Sequence, residues 1–348
     1  MIRTAPTART RTIRSRTART RTARTLAAAA ALAAALSGCG AGDAGPDAPA
    51  AAGETGYPLT VRNCGAEVTF DQRPERAVLL KSAAVPFLHE LGVLSEVVTA
   101  RAGAYPRDYY DDATWAELQE IPMLSDELDS SGHLQISREA VVAQQPDVVL
   151  GDAANLDRDT LAAAGLPLLQ EPALCPQPPT DPSFEDVYDQ MRTYGRIFDA
   201  GAEAEAAVAR LQEQLADVLA DVDPNEQRTA AVLYPTVGGG VPYAYGTSSM
   251  AHPQLEAAGF TNVFADVEER VFEVTPEELV GRNPDVLILL YSDGAPEDIK
   301  AAVTSLNGAE AITAVQQDAI LVQPFNFTEP PGPLAIDGLA RIVEHFSR

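Results

Sequence analysis

The sequence predicts an α/β protein of two Rossmann-like lobes, each with a central sheet, joined by a single long connecting helix. Three observations carry that expectation. Short apolar runs alternate with amphipathic stretches in both halves, the rhythm of a sheet with helices on its faces. A helix-turn-strand unit occurs once in each half, at an offset of 138 residues. Between the halves lies a long stretch with apolar residues every three to four positions, as an amphipathic helix requires. At 348 residues and 46% apolar, the chain is also too long for one small core.

The first 38 residues stand apart from the fold. They carry eight arginines and no acidic residue, and they end just after the apolar run Leu26 to Leu36. Eleven mostly alanine residues are too few to span a bilayer, so residues 1–38 read as a signal peptide. No two arginines are adjacent, which favours the general secretory route. Leu36-Ser37-Gly38-Cys39 looks like a bacterial lipobox and makes Cys39 the expected lipidated N-terminus of the mature chain. Residues 39–56 are mostly Ala, Gly, Pro and Asp. They bury too little to offset ordering entropy and read as a lipidated flexible tether. Without residues 1–38, 17 basic residues face 50 acidic ones, a formal charge near −33. Such a chain repels nucleic acid and anionic lipid.

The first lobe is expected over residues 57–183. Leu59-Thr60-Val61 and Val68-Thr69-Phe70 flank Asn63-Cys64-Gly65, an alternating pattern around a turn that predicts a hairpin. Strands follow at Ala77 to Leu80, Val97 to Ala100, Val148 to Leu150 and Leu168-Leu169, with helices at Val85 to Leu91 and Leu161 to Ala164. Cys64 and Cys175 are the two cysteines beyond the lipid site, and in an exported protein an even pair reads as a disulfide. Two separate buried thiols are the alternative. His89, His133, His252 and His345 lack ligand spacing, so no metal site is expected.

Residues 184–227 form the helical segment. Gly201 divides it, leaving a connecting helix from about Ala202 to Val222, roughly 30 Å long at 1.5 Å per residue. The second lobe, 228–348, carries strands at Ala230 to Leu233, Val286 to Leu290 and Ile320 to Val322, and a helix from about Leu334 to Phe346. The repeated unit reads Ser137-Arg138-Glu139 before Val142 and Pro146-Asp147-Val148, then Thr275-Pro276-Glu277 before Val280 and Pro284-Asp285-Val286. Each copy is an N-cap, a first-turn glutamate, a short apolar helix and a Pro-Asp turn into a strand. Shared supersecondary grammar and common ancestry both account for it.

With these residues in place, the chain resembles the binding proteins of ABC importers that take up iron-siderophores, haem or cobalamin. The match runs from Val61-Arg62-Asn63-Cys64-Gly65 through Pro74-Glu75-Arg76-Ala77-Val78 and Leu91-Gly92-Val93. It continues through both Pro-Asp units to Ala258-Gly259-Phe260-Thr261-Asn262-Val263-Phe264 with Asp266. One departure is Ser82-Ala83-Ala84-Val85-Pro86, where family members often carry a Ser-Ala-Thr-Glu-like helix start. The resemblance implies a monomeric lipoprotein on the outer face of the cell membrane. Its implied partners are a permease dimer with its ATPase, and a ligand that brings any chelated iron itself, so no resident cofactor is expected. It also implies that Glu139 and Glu277, one per lobe, dock onto permease arginines; helix capping through the macrodipole is the plainer role for both.

Ligand contacts in such a fold come from loops at the carboxyl ends of strands. By position the candidates are Lys81 and Ser82, Arg101 with Tyr105 and Arg107, Asp152, Tyr243 and Tyr245, Met250, Arg270, Tyr291, and Phe325 with Phe327. Aromatic rings offer flat apolar contact to an organic shell, and Arg or Lys pairs with anionic oxygens. Any single one of them could instead pack at a loop base. Gly238-Gly239-Gly240 lacks the Gly-Lys-Ser/Thr of a phosphate loop. Gly246-Thr247-Ser248-Ser249-Met250 lacks the nucleophile elbow of a secreted hydrolase, and Ser248 or Ser249 is expected to cap the helix through Leu255. With no nucleophile motif or acid/base constellation, the sequence points to binding rather than catalysis. A rigid connecting helix implies modest lobe closure.

Overall fold

The computed structural model describes residues 56–129, 133–223 and 225–347. Cys39 and the tether through residue 55 lie outside them. In the first lobe the strands are β1 (Leu59–Asn63), β2 (Ala66–Phe70), β3 (Ala77–Leu79), β4 (Val98–Ala102), β5 (Met123–Ser125), β6 (Val148–Leu150) and β7 (Leu168–Leu169). The helices there are α1 (Val85–Glu90), α2 (Leu94–Val97), α3 (Asp112–Glu120), α4 (Arg138–Val142) and α5 (Arg158–Ala162). Helices α6 (Phe184–Ile197) and α7 (Gly201–Ala220) follow. The second lobe holds β8 (Thr229–Tyr234), β9 (Tyr243–Tyr245), β10 (Thr261–Asn262), β11 (Val271–Glu273), β12 (Val286–Tyr291) and β13 (Ile320–Pro324). Around them pack α8 (Ala251–Ala257), α9 (Pro276–Arg282), α10 (Pro296–Thr304), α11 (Thr313–Gln316) and α12 (Pro333–Phe346). Among the described residues no helix is long and apolar enough to cross a membrane.

The first sheet has the order β5-β4-β3-β6-β7, and every neighbouring pair is parallel. The second has the order β11-β9-β8-β12-β13, parallel across β8, β12 and β13 and antiparallel at β9 and β11. Strands buried on both faces need apolar residues at every position, which explains the near-continuous runs at β3, β6 and β12. Alternation then assigns the faces: Ala77 and Leu79 join one core while Val78 and Leu80 join the opposite one. In β12, Val286, Ile288 and Leu290 face one side, and Leu287 and Leu289 the other. The strand expected from Val97 starts one residue later, because Val97 closes the short turn of α2.

The two Pro-Asp units perform the same local task. Asp147 accepts hydrogen bonds from the Glu75 and Arg76 amides at 2.7 and 3.0 Å, just ahead of β3. Asp285 accepts from the amide and hydroxyl of Thr229 at 2.9 and 2.8 Å, at the start of β8. Each aspartate therefore fastens the strand it introduces to the middle strand of its own sheet.

Helix α7 carries the chain between the lobes. Its first half puts Ala204, Ala207, Val208 and Leu211 into the first-lobe core, and its second half packs Leu215 and Val218 against the second-lobe core. Helix α12 lies against α7 and divides its apolar face in the same way. Ile336 belongs to the first-lobe core, whereas Leu339, Ile342 and Phe346 belong to the second. Both helices are thus anchored in two cores.

The β1–β2 hairpin is tied to the segment after β7. Cys64 and Cys175 form a disulfide with Cα atoms 5.2 Å apart, closing a separation of 111 residues. A loop of that size contributes roughly 3 to 5 kcal/mol by restricting the unfolded chain. Asn63 adds a two-way clasp, donating to Gln170 O at 2.8 Å and accepting from Gln170 N at 2.9 Å. Next to it Glu171 is 4% exposed, and its Oε1 accepts from the Tyr194 hydroxyl at 3.0 Å. Oε2 has no hydrogen-bond partner among the described residues.

Burial pushes the Glu171 carboxyl up to about 7, and the nearby Lys81 ammonium opposes this only in part. A carboxyl whose folded pKa exceeds its unfolded one favours folding when protonated. Stability from this group is therefore present at low pH and is lost between about pH 4.5 and 7. At 1.36 kcal/mol per unit the full swing is about 3 kcal/mol. Glu171→Gln removes the titration, so its stability relative to wild type should rise by about that amount between pH 4.5 and 8. Urea denaturation at the two pH values measures it, and a pH-independent difference contradicts the assignment.

Candidate functional site

The carboxyl ends of the central strands in the two lobes face one another. Leu80 and Lys81 follow β3, Gly103 follows β4, and Asp152 lies just beyond β6. Opposite them stand Tyr234 and Tyr291 at the ends of β8 and β12, with Phe325 after β13. The space between is a cleft of about 1250 Å³ that continues into an inner recess of about 530 Å³. Gly103, Pro106, Ser292 and Phe325 wall both parts, so the two are continuous.

Most of the expected contact residues line this space. In the recess Lys81 Nζ lies 2.8 Å from Asp152 Oδ1, beside Ser82. Arg101 is 7% exposed, donates through Nε to Ile121 O at 3.2 Å, and sits 5.1 Å above the Tyr105 ring. The Tyr105 hydroxyl donates to Ala102 O at 3.1 Å, and burial pushes its phenol well above the ordinary range. On the opposite wall Tyr243, Tyr245, Arg270 and Tyr291 line the cleft, with Phe325 edge-on to Tyr234 at 5.9 Å. Burial likewise raises the Tyr245 phenol, and the Glu329 charge adds to the effect.

Three candidates stand elsewhere. Arg107 bonds Asp112 and the Tyr110 carbonyl and lies 5.6 Å over Trp115, so it holds the start of α3 rather than facing the cleft. Met250 is fully buried and lines a smaller cavity of about 220 Å³ that shares only Pro330 with the recess. Phe327 is buried under Arg341, whose guanidinium lies 3.8 Å from the ring centroid, and meets the Tyr109 edge at 6.4 Å.

The residue that sequence reasoning missed is Glu329, which is completely buried. Its Oε1 accepts from Ser249 Oγ at 2.5 Å and Met250 N at 2.9 Å, and its Oε2 accepts from Arg270 at 3.1 Å. Burial raises its pKa, while Arg270 and these donors pull the other way. The expected serine cap of α8 changes form as a result. Met250 occupies the N-cap, Ser249 Oγ accepts from the Ala251 amide, and the Glu329 carboxylate covers the helix start. The one available signal was a lone acid set between Thr328 and Pro330-Pro331. Ser292, Asn326 and Trp115 also line the cleft and were not anticipated. Asn326 donates to Ser82 Oγ at 3.1 Å across the base of the cleft.

Glu139 and Glu277 lie far from these contacts in character. Both are exposed in the first turns of α4 and α9. Ser137 accepts from the Ala140 amide at 3.1 Å and Thr275 from the Glu278 amide at 3.2 Å. The helix starts are therefore capped by hydroxyls, and both glutamate side chains stay exposed, Glu139 beside Arg138 at 3.4 Å.

This geometry has counterparts among known proteins. A crystal structure described as an ABC-type Fe3+-hydroxamate transport system from Saccharomonospora viridis is 56% identical, with a TM-score of 0.79 over 83% of this chain and 99% of that one. A periplasmic binding protein from Veillonella parvula shares the fold at 17% identity, with a TM-score of 0.70 over 83% of this chain and 97% of that one. The cobalamin-binding protein of Halobacterium salinarum is 27% identical over 289 residues, 80% of this chain and 71% of its own length. The family profile described as periplasmic binding protein matches residues 78–326, and the chain belongs to that family.

Proposed function

We propose that this chain is an extracytoplasmic lipoprotein that captures a ferric hydroxamate-type siderophore in the cleft and delivers it to an ABC permease dimer driven by its ATPase. The observation that carries the reading is the cleft itself. Its main part, about 1250 Å³, exceeds the roughly 300–1,000 Å³ of ordinary small-molecule pockets and is walled by aromatic rings from both lobes. Rigid rings give a bulky chelate a large contact area at little entropic cost. The 56% identity to the Saccharomonospora viridis protein supports the hydroxamate class. Cys39 is the proposed lipid site that holds a monomeric protein at the outer face of the membrane. The proposed role is binding and delivery, not catalysis.

A corrinoid is the second reading, favoured by the relative from Halobacterium salinarum. Trp115 and Tyr243, Tyr245 and Tyr291 border the cleft and make intrinsic fluorescence a reporter. A ferric trishydroxamate should quench it saturably at micromolar concentration or below. Saturable response to cobalamin or haem but not to hydroxamates would replace the ligand assignment, and no response to any of them would overturn the reading.

Glu139 and Glu277 are the proposed docking groups, one per lobe for the two permease subunits. Both are exposed and sit at equivalent places in the repeated unit. Exposed ion pairs contribute about 0–1 kcal/mol each, yet complementary charge sets orientation and encounter rate. Glu139→Arg with Glu277→Arg should leave ligand affinity within about twofold and reduce uptake by more than about tenfold. Unchanged uptake would remove the docking role.

A further inference from the structure

The charge inside the cleft is lopsided, and this bears on which chelates it accepts. Its cationic side chains are already engaged by the protein. Lys81 is matched by Asp152, Arg270 by the buried Glu329, and Arg101 is packed over Tyr105 with little exposure. Among the carboxylates of the cleft, Asp152 is taken by Lys81 and Asp129 meets His133. Asp108, Asp126 and Asp293 also line it, all exposed; Asp108 faces the Tyr291 hydroxyl, and no Lys or Arg among the described residues forms an ion pair with any of the three. Asp108 and Asp126 come from the first lobe and Asp293 from the second, so negative potential enters from both sides. Aromatic faces strengthen the same preference, because ring quadrupoles attract cations and Tyr243 is 40% exposed in this wall. A low-dielectric cleft concentrates such a field.

We infer that the cleft selects bulky chelates carrying positive charge, accepts neutral ones less well, and excludes anionic ones. The inference rests on the chelate-binding role proposed above and adds the sign of charge to it. The pendant group best matched to three carboxylates and several rings is an alkylammonium, which offers charge and three donors at once.

Three ferric complexes separate the possibilities in calorimetric titrations of the full chain in detergent. Ferrioxamine B is a trishydroxamate with a free amine, which makes the complex monocationic. Its N-acetyl derivative is neutral and otherwise the same, and ferric enterobactin is a trianionic triscatecholate. The expected result at low salt is binding of the monocation about tenfold tighter than of the acetylated complex, narrowing to about twofold in 1 M salt, with the triscatecholate weakest. In the variant Asp126→Asn with Asp293→Asn the ratio between the first two should fall to about twofold at low salt. Equal binding of the amine and acetylated complexes at low salt overturns charge selection and leaves chelate binding standing. Tighter binding of the triscatecholate also overturns charge selection. Failure of all three complexes to bind overturns both readings.

Discussion

A fully buried carboxylate is tolerated only where donors meet it, and the second-lobe wall of the cleft is organised around one. Glu329 gathers the hydroxyl of Ser249, the amide of Met250 and the guanidinium of Arg270, three points from segments up to 80 residues away. Those segments also carry Tyr245 and Phe325 to the cleft. A polar seam extends the anchor inward. Gln254 donates to the Phe327 and Ala335 carbonyls, Thr328 donates to Gln254, and Gln323 donates to Thr328. Such networks specify one arrangement because losing any member strands the others without partners. Removing one partner of a buried ion pair typically costs about 3–5 kcal/mol. Helix α12 closes over this seam at Gly338, where a Cβ would come within 1.7 Å of Phe327 O.

The lobes are held by packing rather than by flexible crossovers. Two helices, α7 and α12, each bury residues in both cores, so a wide hinge motion would expose apolar surface from both at once. Closure by a modest rotation keeps that surface buried. Contacts between Asn326 and Ser82 and between Tyr109 and Phe327 add direct links from one lobe to the other.

The fold was legible because its signals are local. Apolar runs at β3, β6, β8 and β12 declare buried parallel strands, and the Pro-Asp units declare where helices hand over to them. The cysteine pair was legible by elimination, since two thiols remained after Cys39. Which strand-end residues face the cleft was only partly legible. Tyr105 and Phe325 follow from their positions after strands and Tyr245 from its place at the end of β9, whereas Arg270 reaches the cleft from just ahead of β11. Arg107 and Met250 occupy equally promising positions but turn away, one toward Asp112 at the start of α3 and the other into the packed start of α8. Glu329 was out of reach because its partners are 59 to 80 residues away in sequence, and no local pattern encodes that distance.

The account stands or falls on where a ligand sits. A crystal structure of the protein loaded with a ferric trishydroxamate is the direct measurement. The account predicts the chelate between the two lobes, with Tyr245 and Phe325 on one side and Ser82 and Tyr105 on the other, and the α7 and α12 packing preserved. A chelate lodged in the smaller cavity beside Glu171 and Asp186, or bound outside both lobes, would contradict it.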